Sequence, residues 1–140
     1  MYGLRFSIKY KSFMMSGNHV PGSYKFVDLN RFRHITGNDE DLKKIMLHKY
    51  IDTVARWGTD LYAAMDRADI EGMRRVLHQM KPHLTMIGSE YLEKMMTELH
   101  ELCHVGESEM TEIRRITTMF HDLVPEMTRE LEKEYDKTTG

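Results

Sequence analysis

The chain has a single cysteine among its 140 residues. Cys103 therefore has no internal partner, which excludes a disulfide framework and fits a reducing, cytoplasmic compartment. Long apolar runs are missing too. None approaches the roughly 20 residues needed to cross a bilayer, so no membrane association is expected. The N-terminal stretch MYGLRFSIKYKSFMM has basic residues but no unbroken apolar core and no small-residue cleavage site, so it does not read as a signal peptide. Charge of one sign is lacking as well. Twenty Lys and Arg stand against 22 Asp and Glu, for a net charge of −2, which gives no reason to expect nucleic acid as a partner. Neither GxxxxGK nor GxGxxG occurs, so no nucleotide-binding loop and no kinase activity are expected. No acidic cluster suits a hard cation, and there are neither long-period repeats nor low-complexity runs.

What remains is an ordinary globular composition, 41% hydrophobic and 30% charged, on a chain long enough for one domain with a real core. Thirteen methionines fall at helical spacing and read as core filler. Residues 1–23 are set apart. LRFSIKYK alternates like a short strand, and SGNHVPGS then breaks the pattern. This extension reads as a disordered appendage, or as the product of a start codon upstream of Met15, ahead of a domain over residues 24–137.

From Phe26 onward the periodicity is helical. A short helix is expected over Asp28 to Ile35, stopped at Thr36-Gly37. Asn38 or Asp39 then caps a long helix whose inner stripe is Leu42, Ile45, Met46, Tyr50, Val54, Trp57, Leu61 and Met65. Asp66 to Asp69 form a turn. The next helix carries Ile70, Met73, Leu77, Met80, Leu84, Ile87 and Tyr91, a bundle seam. Gly88 is expected to end it in the left-handed conformation, with Ser89 capping its successor. That helix buries Leu92, Met95, Met96, Leu99 and Cys103 and gives out at Gly106. Ser108 opens the last helix, with Ile113, Ile116, Phe120, Leu123, Val124, Met127 and Leu131 inside and a kink expected at Pro125. The predicted fold is all-α, an antiparallel four-helix bundle with a short N-terminal lead-in helix.

The seam helix includes RRVLHQMKPHLTMIGSEY, residues 74–91. With about 100° between successive residues, inward Leu77 and Met80 leave His78 at the edge with solvent. Its neighbours three and four positions away are Arg74, Arg75, Lys81 and Pro82. Cations around an imidazole favour its neutral, nucleophilic form, and the same cations would stabilise a phosphoryl group once attached. Spacing alone favours a plain surface histidine among surface bases.

The segment HQMKPHLTMIG, residues 78–88, resembles the HxLKGxxxxxG signature of histidine-containing phosphotransfer domains. His78 stands at the phosphoacceptor position, Met80 at the apolar one, Lys81 at the lysine and Gly88 at the closing glycine. TGNDEDLKKIMLHKYIDTV and GTDLYAAMDRADIEGMRRVLHQMK are also similar to the run that precedes the histidine in this family, and the resemblance covers roughly residues 26–135. It implies a relay intermediate of two-component signalling, without cofactor or metal. His78 would take a phosphoryl group from the aspartyl phosphate of one receiver domain and pass it to an aspartate of another. The implied partners are response-regulator receiver domains and a hybrid histidine kinase. A monomer is expected, since a shuttle must expose one helix face. Pro82 departs from the pattern, standing where the family usually has glycine. It fills surface beside the histidine and releases the His78 carbonyl from its helical hydrogen bond. His83 replaces a small polar residue and is a candidate to hydrogen-bond the phosphoryl group or simply a surface side chain.

A competing motif is HELCH, residues 100–104, which matches the HExxH zinc-protease pattern. Its extended form fails, because Glu107 stands where glycine belongs, which leaves only a downstream carboxylate such as Glu126 or Glu130 as third ligand. The bundle offers another account. His78 lies ten residues before Gly88 and His100 twelve after it, so a hairpin about that turn, with helices ~8–10 Å apart, brings His100 beside His78 or its phosphoryl group. A receiver-binding adaptor without transfer and a purely structural bundle are the other rivals.

Overall fold

A computed structural model describes residues 24–139; the strand read in LRFSIKYK and the extension that contains it lie outside the described residues. The elements are α1 (Asn30–Thr36), α2 (Glu40–Asp66), α3 (Ile70–Ile87), α4 (Glu90–Val105), a 3₁₀ turn (Glu107–Glu109) and α5 (Met110–Thr139). Each of α2 to α5 packs on the next and α5 closes back on α2, while α1 leans on α2 and α3. This is the expected all-α bundle with a lead-in helix. Among the described residues no helix is long and apolar enough to cross a membrane.

Local chemistry sets most helix ends. The Asp39 carboxylate accepts the Leu42 amide at 3.0 Å, Asp69 accepts Gly72 at 2.9 Å, and the Ser89 hydroxyl accepts Leu92 at 3.3 Å, each satisfying a first-turn donor that the helix cannot. Gly106, at φ +108°, ends α4 in a conformation that an L side chain rarely adopts. Ser108 does not open the last helix. It lies inside the 3₁₀ turn, where the Glu109 amide bonds the Gly106 carbonyl, and α5 begins at Met110. Both interior prolines, Pro82 and Pro125, are accommodated without ending their helices.

The core joins Phe32 of α1 to Leu47 and Leu61 of α2, Met73, Met80 and Ile87 of α3, Leu92, Met95 and Leu99 of α4, and Ile116 and Phe120 of α5, all fully buried. The start of the α2 stripe departs from expectation: Leu42 is 39% and Ile45 66% exposed, and burial begins in earnest at Leu47. Two steps of about 100° turn Ile45 to the face opposite fully buried Leu47, and Leu42 lies in the first turn of the helix.

Gly88 is not left-handed. It is extended (φ −84°, ψ 142°) and pairs with Val27 in an isolated antiparallel bridge. The segment before α1 lies across the α3–α4 turn, with the Asp28 amide on the Ile87 carbonyl (2.8 Å) and the Ser89 amide on that of Phe26 (3.1 Å). The position needs glycine for lack of room, because an added Cβ would lie 2.8 Å from the Leu84 carbonyl oxygen. Gly88→Ala is therefore expected to cost about 1–3 kcal/mol in chemical denaturation; an unchanged midpoint would mean that the turn has slack.

Two buried acids of α5 hold the same segment. Glu130 accepts the amides of Lys25 (2.8 Å), Phe26 (2.9 Å) and Val27 (3.0 Å). Glu134 accepts the Tyr24 hydroxyl at 2.9 Å and the Arg33 guanidinium at 3.0 and 3.3 Å. Burial pushes the Glu134 carboxyl up, but its bonds to Arg33 and Tyr24 outweigh that, and the net shift is downward. A carboxylate whose pKa is depressed by folding adds stability above its unfolded value, and that stability is lost as pH falls through the folded value. Acidification below about pH 4.5, the ordinary glutamate value, is therefore expected to loosen this clasp. Glu134→Gln should flatten the acid limb of a pH–stability curve; an identical limb would place the acid sensitivity elsewhere.

Candidate functional site

Leu77 and Met80 are buried on α3, and His78, about 100° round the wheel from Leu77, is exposed on the side shared with α4. Two concavities meet there. A groove of about 420 Å³ runs between α3 and α4, walled by Leu77, Leu84 and Met96 and edged by Lys81, Thr85, Glu93, Thr97 and Glu101. A second recess of about 330 Å³ is lined by Glu71, Arg74, Arg75 and Gln79. His78 and His100 line both and so form the partition between them. The hairpin thus places His100 beside His78, as the register about Gly88 and Ser89 predicts.

The electrostatics around His100 are basic. Burial, followed by Arg74, Lys81, His104 and His78, holds its pKa below the ordinary histidine value. His100 is therefore a neutral imidazole near neutral pH, able to donate one N–H and accept at the other nitrogen. The cations are not all unopposed. Arg74 Nη1 bonds Glu71 at 2.8 Å, and Arg75 Nη2 lies 4.0 Å from Asp69. Lys81, exposed on the groove side, has no ion pair among the described residues. Pro82 is exposed one turn beyond His78; without an N–H it leaves the His78 carbonyl unbonded along the helix.

Other expected participants stand elsewhere. His83 faces α2, its ring centroid 5.8 Å from both the Tyr50 and Trp57 rings. Five residues turn it about 140° from His78, so it belongs to the α2–α3 contact and not to the site. In HELCH, Leu102 and Cys103 are core residues, and burial pushes the thiol up to about 11. Of the candidate third zinc ligands, Glu130 is committed to three backbone amides and Glu126 pairs with Arg129 at 2.6 Å. Among the described residues no three His, Cys, Asp or Glu side chains gather where a metal ion could be held.

Sequence reasoning passed over Glu71 and Gln79 of the recess and Thr85, Glu93 and Thr97 of the groove, and took Met96 for core alone. Their signal is present in the spacing. Glu71, Arg74, Arg75 and His78 form one stripe of α3 at steps of three and four, and Glu93, Met96, Thr97 and His100 repeat the pattern on α4. No family model, no curated protein and no solved structure matches this chain.

Proposed function

We propose that the chain is a phosphorelay intermediate carrying a phosphoryl group on His78. The observation that carries this reading is the placement of His78. It is an exposed imidazole fixed by two buried neighbours at the partition between an apolar-walled groove and a basic recess, with neutral His100 alongside. The resemblance of residues 78–88 to the phosphotransfer signature points to the same residue.

The lone pair of one His78 ring nitrogen attacks the phosphorus of an acyl phosphate on a receiver aspartate. A nitrogen–phosphorus bond forms as the phosphorus–oxygen bond to the aspartate breaks, and the electron pair leaves with the carboxylate. The positive charge gained by the ring is offset by the phosphoryl oxygens, and His78 has Arg74, Arg75 and His100 on its recess side and Lys81 on its groove side as donors. Phosphohistidine and acyl phosphate are comparable in transfer potential, so a second receiver carboxylate reverses the step. The groove gives such a receiver an apolar surface beside the reacting nitrogen. Any Mg²⁺ belongs to the acidic site of the receiver, and the relay reading makes the chain a carrier without kinase activity.

Intact-mass analysis of the full chain after incubation with phosphoramidate, and with a phosphorylated receiver domain, tests this. A single acid-labile phosphoryl increment is expected with each donor. A chain that binds the receiver but takes no label from either donor is an adaptor instead.

A further inference from the structure

We propose that the arginine-lined recess, and not the groove, seats the phosphoryl group, and that Arg74 binds it by exchanging the Glu71 carboxylate for a phosphoryl oxygen. This rests on the reading of His78 as phosphoacceptor. The two concavities that share His78 differ in what they offer a dianion. The groove is walled by Leu77, Leu84 and Met96 and edged by one cation, Lys81, against the carboxylates of Glu93 and Glu101, a lining that offers a dianion little net positive charge. The recess offers Arg74, Arg75 and Gln79.

Arg74 is already arranged for an additional acceptor. Its Nη1 is held by Glu71, while its Nε is buried with no acceptor among the described residues. A guanidinium binds phosphate oxygens through two N–H groups at once, so once Glu71 is released the fork can turn and bring Nε, unused at present, to a phosphoryl oxygen. The present partner is easily displaced. Glu71 and Arg74 form an (i, i+3) pair with side chains 70% and 36% exposed, the kind of ion pair that holds weakly in water. A phosphoryl group carries more charge than the carboxylate it replaces. Glu71 remains as a competing negative charge at the recess mouth. Lys81 lines the groove and not the recess, so it faces an incoming partner. The recess is bordered by exposed residues, which leaves the phosphorus within reach of an attacking carboxylate.

The experiment is the half-life of phosphohistidine on the full chain at neutral pH, after labelling with phosphoramidate, followed by intact mass. Arg74→Ala is expected to shorten it about tenfold and Arg74→Lys about threefold, because lysine keeps the charge and loses the fork. Glu71→Gln is expected to lengthen it about twofold, a gain that a merely structural role for the pair would not produce. Lys81→Ala should change it less than Arg74→Ala does. A half-life in Arg74→Ala equal to that of the wild-type chain, or a greater loss in Lys81→Ala, overturns the inference and leaves His78 as acceptor. A wild-type chain that takes no label overturns the relay reading itself.

Discussion

His78→Ala is expected to abolish labelling by phosphoramidate and by a phosphorylated receiver alike, while the helical content and unfolding midpoint stay close to wild type. The loss should be complete, because the substitution removes the nucleophile that the relay reading assigns. His100 shares the partition and its cations, so label left in His78→Ala would be sought there first, whereas His83 packs against Tyr50 and Trp57 on the α2 side of α3. The stability cost should be within about 0.5 kcal/mol, as for other exposed positions, since Leu77 and Met80 do the packing and His78 does not. The mutant therefore isolates chemistry from folding. Label retained at wild-type level in His78→Ala would move the acceptor to another residue and sink the proposed function.

The second large effect is structural. Glu130→Ala is expected to destabilise the chain by about 3–5 kcal/mol in urea or thermal unfolding, since it removes a charged acceptor from backbone donors that have gone out of water. Three amides, those of Lys25, Phe26 and Val27, converge on this one carboxylate. Phe26, Val27 and Leu29 of the same segment are buried, and Val27 bridges to Gly88 at the α3–α4 turn. Releasing the segment thus uncovers apolar surface and loosens the hairpin that sets His78 against His100. Glu130→Gln should fall between, because its amide oxygen still accepts but carries no charge. If Glu130→Ala unfolds within about 0.5 kcal/mol of wild type, the segment contributes nothing to stability and the bundle stands without it.

Local features of the bundle can be read from the chain alone. The positions of Asp39, Ser89, Gly37 and Gly106 at helix boundaries, and the burial of Met73, Leu77, Met80, Leu84 and Ile87 along one face, were all legible. So was the hairpin that sets His100 beside His78. Each depends on residues within a few turns of one another, where helix geometry is fixed by backbone sterics and the wheel angle follows from position.

Tertiary structure decided the rest. Glu130 and Glu134 look like surface acids on an amphipathic helix until a segment more than 100 residues away closes over them. Gly88 looks like a left-handed cap until Val27 pairs with it and Leu84 crowds it. Leu42 and Ile45 look like the start of the α2 stripe, yet the packed bundle leaves both exposed. The cationic cluster about His78 divides into an arginine recess and a lysine-edged groove only once α4 is laid alongside. By itself the sequence determined the helices, their order and the helix edge that carries the histidine, because those follow from local spacing. Which acids are buried, which glycine is crowded and which cations share a cavity depend on contacts between distant segments, and only the packed bundle supplies them.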